Sequence, residues 1–346
     1  MRPLTLSRLL LRCGILAAIL FVVVVIAIKL GAVQVSLYGL GRDLIRVLLG
    51  QSSSISSDYG MIIVDIRLPR ILLAIVVGAS LSVAGASFQA LLRNPLADPY
   101  VLGVSSGAAV GSIVALLIEN QLSFSPAFAG LFTPLGASIG AGAAIAAVYF
   151  LGRRDGRIDS STLLLSGIIA SSFLSAIVMF LMSTLSGGNL RGYSYWLMGS
   201  FSTLPPPSLL YLLGIGFLVA AGAIYTTASD LNLLLAGEKE AMHLGVDVHR
   251  VQIVVYVAAS ILTGLAVSVS GAIGYVGLLI PHGMRLIFGS DHRMLLPASA
   301  LGGAIALVIA DTAARTVVAP SEVQVGAVTA VIGAPFFIYL LRRGLK

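Results

Sequence analysis

Charged side chains are scarce in this chain. Asp, Glu, Lys and Arg make up 10% of its 346 residues and hydrophobic residues make up 58%, whereas an average soluble domain is about one-quarter charged. The mean hydropathy is +1.03. This balance excludes an ordinary water-soluble fold. The net charge of +7 is therefore interpreted as a signal of membrane topology, and no nucleic-acid partner is predicted.

Cysteine is almost absent, and the residues of common catalytic sites are missing. Cys13 is the single cysteine, which excludes an internal disulfide framework and a CxxC metal site. The four histidines do not have the spacing of a helical HExxH site. The apolar segments also lack the paired carboxylates that a membrane-embedded hydrolase needs. We predict no catalytic residue and no metal site, so the chain is not expected to be an enzyme.

Lysine is rare as well. Lys29, Lys239 and Lys346 are the only lysines, and none lies in the Gly-Lys-Ser/Thr context of a phosphate-binding loop. The chain therefore cannot hydrolyse ATP by that route, and no cofactor is predicted for it. A proton-driven secondary transporter is disfavoured because titratable groups are sparse within the apolar segments, although this class is the main alternative to an ATP-driven one.

Apolar runs recur along the whole length, each close to the 20 or so residues that cross a bilayer as a helix. Backbone groups in lipid must pair within the protein, so such runs predict an all-α integral membrane protein with about ten transmembrane helices. The basic N-terminus resembles a secretory signal but lacks a small-residue cleavage pattern, and we interpret it as the first span. The predicted spans are 13–34, 68–91, 101–118, 130–151, 161–184, 207–227, 251–271, 273–288, 296–317 and 325–341.

An even number of spans places both termini on one side of the membrane. If that side is the cytoplasm, 14 of the 21 basic residues lie inside, as the positive-inside rule requires. The predicted outside connections contain a surface helix at 37–49 and the aromatic residues Tyr193, Tyr195 and Trp196. Such aromatics are typical of an interfacial belt, and a vestibule for a large ligand is the alternative.

The second predicted span is rich in small residues, which allow close helix approach, so we expect it in the middle of the bundle. Its segment Leu81–Ala86 resembles Val267–Ala272 of the seventh span, a weak sign of an inverted repeat. Two prolines predict a break after it. A broken segment lined by small polar residues indicates either a translocation path or a tight turn, and the path candidates are Asn94, Pro95, Ser105, Ser106 and Pro281.

Ionisable residues within the spans are few. Asp311 and Arg315 lie four residues apart in the ninth span, on one helical face, where mutual neutralisation lowers the cost of burial. They predict an intramembrane ion pair that is either functional or structural. Arg67 and Arg70 flank the start of the second span, where ordinary snorkelling to the interface also explains them.

The segment 228–250 is a polar island of mixed charge between two long spans. A pore has no use for such a segment, whereas a transporter driven by a soluble partner does. The predicted topology places this island in the cytoplasm, where an ATPase is reachable.

Several longer motifs identify a family. The chain resembles the FecCD-type permeases of bacterial binding-protein-dependent ABC importers, which carry iron-siderophores, haem or cobalamin. The resemblance covers nearly everything from Arg67 onward, and its most specific stretches are RLPR at 67–70, the run at 78–111, GYVGLLIPHGMR at 274–285, DHRMLLPASALGGA at 291–304, ADTAAR at 310–315 and VGAVTAVIGAPFFIYLL at 325–341. One departure is Val323-Gln324, where the family usually has Leu-Pro before the last span.

The resemblance implies a single transmembrane permease domain over 1–346, paired with a second permease subunit as a homodimer in the bacterial inner membrane. Two cytoplasmic ATPase subunits, which bind Mg-ATP, and a periplasmic binding protein are the further partners. By motif match, Arg67, Arg70 and Arg315 are the residues that dock the binding protein. The coupling residues of the island are Gly237, Glu238, Glu240, Ala241, Leu244 and Gly245. Gly245 is expected to end the first short helix, as a C-terminal glycine does. The expected substrate is a ferric siderophore, with cobalamin or haem as alternatives.

Overall fold

The structure is a computed structural model that describes residues 5–31, 62–121, 126–154, 157–185 and 187–344. A π-helical turn, Ile62–Arg67, leads into α2, a 3₁₀ turn, Pro99–Leu102, precedes α3, and β1 (Arg153–Arg154) pairs with β2 (Arg157–Ile158) in an antiparallel ribbon. The α-helices of the described residues are α1 (Leu6–Lys29), α2 (Leu68–Leu91), α3 (Val104–Gln121), α4 (Pro126–Leu151), α5 (Ser160–Thr184), α6 (Gly187–Leu197), α7 (Pro207–Thr226), α8 (Ala228–Leu234), α9 (Glu238–His243), α10 (Val248–Ser270), α11 (Val276–Phe288), α12 (His292–Thr316) and α13 (Val325–Gly344).

The predicted all-α membrane bundle is confirmed. Each of the ten predicted spans overlaps a helix, namely α1 to α5, α7 and α10 to α13, and residues 32–34 of the first predicted span lie outside the described residues. Among the described residues, seven helices are long and apolar enough to cross a membrane, while α3, α11 and α13 have shorter apolar stretches. The surface helix predicted at 37–49 lies outside the described residues.

Helix α2 lies at the centre of the bundle, as its small residues predict. Within the apolar window of each span, 83% of the residues are buried for α2 with its π-helical turn, against 6% for α1 and 17% for α5 and α7. The glycines of α2 allow this position, because a Cβ on Gly85 would lie 1.7 Å from the carbonyl oxygen of Gly277 in α11. Two backbones therefore touch where a side chain would hold them apart.

The predicted eighth span, 273–288, begins three residues before its helix. Helix α11 begins at Val276, and residues 271–275 are not helical. Unpaired backbone is not tolerated at membrane depth unless protein groups satisfy it. The Tyr100 hydroxyl does so here, since it accepts from the N–H of Ile273 at 3.0 Å and donates to its carbonyl oxygen at 3.1 Å.

The connection after α5 differs from the predicted aromatic belt. It contains α6, an 11-residue helix that the sequence analysis missed. Tyr193 is buried, and its hydroxyl lies 2.7 Å from that of Ser112 in α3, while its ring stacks on Trp196 at 5.5 Å. Tyr193 therefore packs against α3, whereas Tyr195 is 49% exposed.

Candidate functional site

The polar island 228–250 folds into two short helices, α8 and α9, between the long helices α7 and α10. Glu238 and Glu240 lie in the first turn of α9, where negative charge is favoured by the helix dipole. At the other end, Gly245 has φ +87°. The N–H of Gly245 donates to Met242 and that of Val246 donates to Ala241, both at 3.0 Å. This is a Schellman motif, so the predicted helix end at Gly245 is confirmed.

Helix α9 has two different faces. Ala241 is fully buried and Val246 is nearly so, and both belong to the apolar core of the bundle. On the opposite face Met242 is 43% exposed and Leu244 is 66% exposed. One face therefore holds α9 on the membrane helices, while the other presents apolar side chains within a polar surface.

Two polar contacts tie the island to the spans. Glu238 pairs with Arg93, just beyond the end of α2, at 2.8 Å. Asn232 in α8 donates to the Asp291 carboxylate at 2.8 Å and accepts from the backbone N–H of His292 at 2.8 Å. Hydrogen bonds from the Arg293 side chain lower the pKa of Asp291 to about 2, so this carboxylate is ionised at neutral pH. The sequence analysis missed Asn232, Asp291 and His292, because no local pattern joins residues about 60 positions apart.

A second cluster of charges lies at the other end of α2 and α12. Asp311 is fully buried and accepts from two guanidinium groups, Nε of Arg70 at 2.9 Å and Nε of Arg315 at 3.0 Å. The predicted Asp311–Arg315 pair is therefore confirmed as a contact. The structure adds Arg70 as its third member.

The three predicted docking arginines come together around one cleft of about 290 Å³. All three arginines line this cleft. Each of them is less than 8% exposed, so little of each side chain is accessible. Arg67 donates to the carbonyl oxygen of Ile28 near the C-terminus of α1, where positive charge is favourable. Glu322 also lines the cleft and contacts Arg70.

The predicted path residues lie in three places. Asn94 and Pro95 are in the turn after α2, while Ser105 and Ser106 are in the first turn of α3, where the Ser106 hydroxyl is 3.2 Å from that of Ser175 in α5. Pro281 is buried within α11. An apolar cavity of about 840 Å³ lies between α3, α4 and α5, and none of the predicted path residues lines it. The translocation path stays a prediction.

Comparison with known proteins identifies the chain. A profile of the FecCD transport family matches residues 19–343. This chain belongs to the FecCD transport family. The cobalamin import system permease protein BtuC of Halobacterium salinarum is 44% identical over 284 residues, covering 82% of this chain and 73% of the relative. The hemin transport system permease protein HmuU of Yersinia pestis is 43% identical over 286 residues, covering 81% and 82%.

The FecCD fold is also found among solved structures. An ABC transporter described as of metal-chelate type, in an inward-facing conformation, matches with a TM-score of 0.81 and 31% identity, covering 96% of this chain and 98% of the other. The FecCD chain is thus a permease subunit of an ABC transporter. It is not itself an enzyme, as the absence of catalytic motifs predicted.

Proposed function

We propose that this FecCD permease imports an iron chelate across the bacterial inner membrane, driven by a separate ATPase. The observation that carries the proposal is the two-faced island at 228–250. It is anchored to α2 and α12 through Arg93, Asp291 and His292, and it presents Met242 and Leu244 outward. A purely ion-driven carrier has no use for that outward face, because nothing in its cycle binds there.

The proposed coupling residues divide by position into three groups. Glu240 and Leu244 are exposed, and Gly245 ends the helix that presents them. These three residues form the surface that contacts the ATPase in this proposal. Ala241 faces the core, so its part is to hold α9 against the spans. Gly237, with φ +135°, and Glu238, paired with Arg93, join the helix to the bundle. Movement of α9 therefore reaches α2 directly.

The arginine cleft and the island lie at opposite ends of the same helices. Arg70 is near the start of α2 and Arg93 follows its end, while Asp291 precedes α12 and Arg315 is near its end. Helix α2 has 24 residues, which corresponds to about 36 Å. With the island and both termini in the cytoplasm, as the basic residues favour, the cleft faces outward. A binding protein docks there in this proposal.

The substrate is proposed from chemistry that the relatives share. Haem is an iron chelate and cobalamin a cobalt chelate, and relatives are named for each, while the solved neighbour is described as of metal-chelate type. We favour an iron chelate, either a ferric siderophore or haem. The full assembly contains a second copy of the permease, two ATPase subunits that bind Mg-ATP, and a periplasmic binding protein.

The experiment is reconstitution of the permease with its ATPase and binding protein in liposomes. Uptake of hemin, a ferric siderophore and cyanocobalamin is compared with and without ATP. We expect ATP-dependent uptake of an iron chelate. Uptake of cyanocobalamin alone would show that the substrate is cobalamin and not an iron chelate. Uptake without the ATPase would support the secondary-transporter alternative and refute the proposal.

Coupling is tested with Gly245→Val. A β-branched residue at φ +87° is strained by about 1 kcal/mol or more, so α9 should lose its ordered end. ATPase stimulation by the binding protein should then fall severalfold, while membrane insertion remains. Gly222→Val is the matched control, since a Cβ there meets nothing within 4 Å. Equal stimulation in both variants would remove Gly245 from the coupling element.

A further inference from the structure

The cleft between α2, α12 and the connection before α13 already contains a carboxylate. Both oxygens of Glu322 lie 3.0 Å from Nη1 of Arg70, and Glu322 is 252 positions away from that arginine in the sequence. Neither the family motifs nor the sequence analysis assigned a role to Glu322. Its position matches that of an acidic side chain presented to Arg70 from outside.

The two carboxylates of the cluster differ in burial. The Asp311 side chain is 1% exposed and accepts from two guanidinium groups, whereas the Glu322 side chain is 41% exposed and, in the part of the chain that the structure describes, forms an ion pair with Arg70 alone. Solvent-exposed ion pairs contribute little, and removing one partner of a buried pair costs far more. Glu322 is therefore the carboxylate that can leave, while Asp311 stays.

The charges of the cleft favour an incoming anion. Three guanidinium groups, from Arg67, Arg70 and Arg315, line the cleft with Glu322 as its only lining carboxylate among the described residues. When Glu322 leaves, Arg70 still pairs with Asp311 through Nε and keeps Nη1 directed to Glu322's place. A guanidinium group is shaped for carboxylates.

The departure of Glu322 needs no movement of the backbone. The next residue, Val323, donates its N–H to the carbonyl oxygen of Ala314 at 3.0 Å, and Gly326 donates to Gly199 at 3.1 Å. The connection is therefore held to α12 on one side and to the turn after α6 on the other. Rotation of an exposed side chain takes only picoseconds to nanoseconds.

We propose that Glu322 is a resident competitor at Arg70, which leaves when an acidic side chain of a docking protein pairs with this arginine. The source of that side chain, a binding protein, rests on the proposed function. The site itself rests on the cleft. In this arrangement Glu322 lowers the affinity of the empty permease for acidic partners and keeps Arg70 paired when none is bound.

The test uses the full-length permease in lipid nanodiscs and a fluorescein-labelled hexaglutamate peptide, with labelled hexaglutamine as the neutral reference. Glu322→Gln removes the competing charge, so hexaglutamate should bind about two- to fivefold tighter, the range expected for release of an exposed ion pair. Glu119→Gln is the matched control. Glu119 lies near the C-terminal end of α3, which is at the same end of the bundle as the start of α2. It forms no ion pair among the described residues.

Equal affinities for the Glu322→Gln and Glu119→Gln variants would overturn the proposal, because any gain would then reflect net charge. Failure of hexaglutamate to bind any variant would overturn it too. If Glu322→Gln does not fold, Glu322→Asp carries the test, since it keeps the charge and withdraws the carboxylate from Arg70. The assay contains no ATPase and no binding protein, so its outcome is independent of transport, and failure of the proposed importer leaves this result standing.

Discussion

Asp311→Asn should be among the most destabilising single substitutions in this permease. The change keeps the shape of the side chain and removes its charge. Among the described residues, Arg315 then has no carboxylate at hydrogen-bond distance, and Arg70 keeps only Glu322. Because both guanidinium groups are nearly buried, the loss should be about 3 to 5 kcal/mol, as for a broken buried ion pair.

Glu322→Gln gives the internal comparison, since it removes the other carboxylate from the same arginine. The Glu322 side chain is 41% exposed, so water replaces the lost contact and the cost should stay below about 1 kcal/mol. The two variants remove one negative charge each but differ in burial and in the number of guanidinium partners, two for Asp311 and one for Glu322. The ratio of their effects therefore measures what burial and the second partner contribute together.

The assay is unfolding of the purified permease in mixed detergent micelles with increasing dodecyl sulfate, followed by far-UV circular dichroism. Trp196, the single tryptophan, gives a second signal by fluorescence. Arg315→Met and the double variant Asp311→Asn with Arg315→Met complete a double-mutant cycle, and a coupling of about 1 to 3 kcal/mol is expected. The reasoning is refuted if Asp311→Asn costs no more than Glu322→Gln, or if the two substitutions of the cycle are additive.

Two further predictions concern packing and pH. Gly85→Ala places a Cβ where the Gly277 carbonyl oxygen lies and should destabilise the bundle by about 1 to 3 kcal/mol; Gly142→Ala, which meets nothing within 4 Å, should not, and equal thermal denaturation of the two would contradict this. Burial raises the pKa of Asp98, in the turn after α2, from 3.8 to about 6, although the N–H of Tyr100 lowers it. Because the pKa of Asp98 is higher in the folded state than in the unfolded state, its ionised carboxylate lowers the stability of the folded protein above about pH 6. This loss of stability disappears as the pH falls towards 4. Asp98→Asn should therefore stabilise the folded protein by up to about 3 kcal/mol near pH 8 and by little near pH 4. Denaturation midpoints at the two pH values check this, and a pH-independent gain would contradict it.

Features that depend on neighbouring residues were predictable from the sequence. Ten apolar runs became helices, the small residues of α2 indicated its central position, and the i,i+4 spacing of Asp311 and Arg315 predicted their contact. The end of α9 at Gly245 was also predictable, because a glycine after a short helix commonly adopts the left-handed conformation that ends it. Each of these signals lies within one or two turns of the chain.

Features that depend on distant contacts were not predictable. Glu322 pairs with Arg70 from 252 positions away, and Asn232 meets His292 from 60 positions away. The predicted eighth span was too long because hydropathy cannot register that the Tyr100 hydroxyl satisfies the backbone of Ile273. Burial of Tyr193 was missed for a similar reason, since its partner Ser112 is in α3. A single sequence without paired variation contains no signal for such contacts.

The glycine contacts of α2 have a mechanical consequence. A Cβ on Gly78 would lie 2.3 Å from the Gly303 carbonyl oxygen of α12, and one on Gly85 would lie 1.7 Å from that of Gly277 in α11. At these points the helices meet backbone to backbone, without side chains that interlock as ridges and grooves. A small shift of α2 along its neighbours therefore meets backbone at these points and needs no change of interlocked rotamers. Sliding is opposed elsewhere, by buried α2 side chains such as Leu73 and Phe88 and by the buried pair of Arg70 with Asp311.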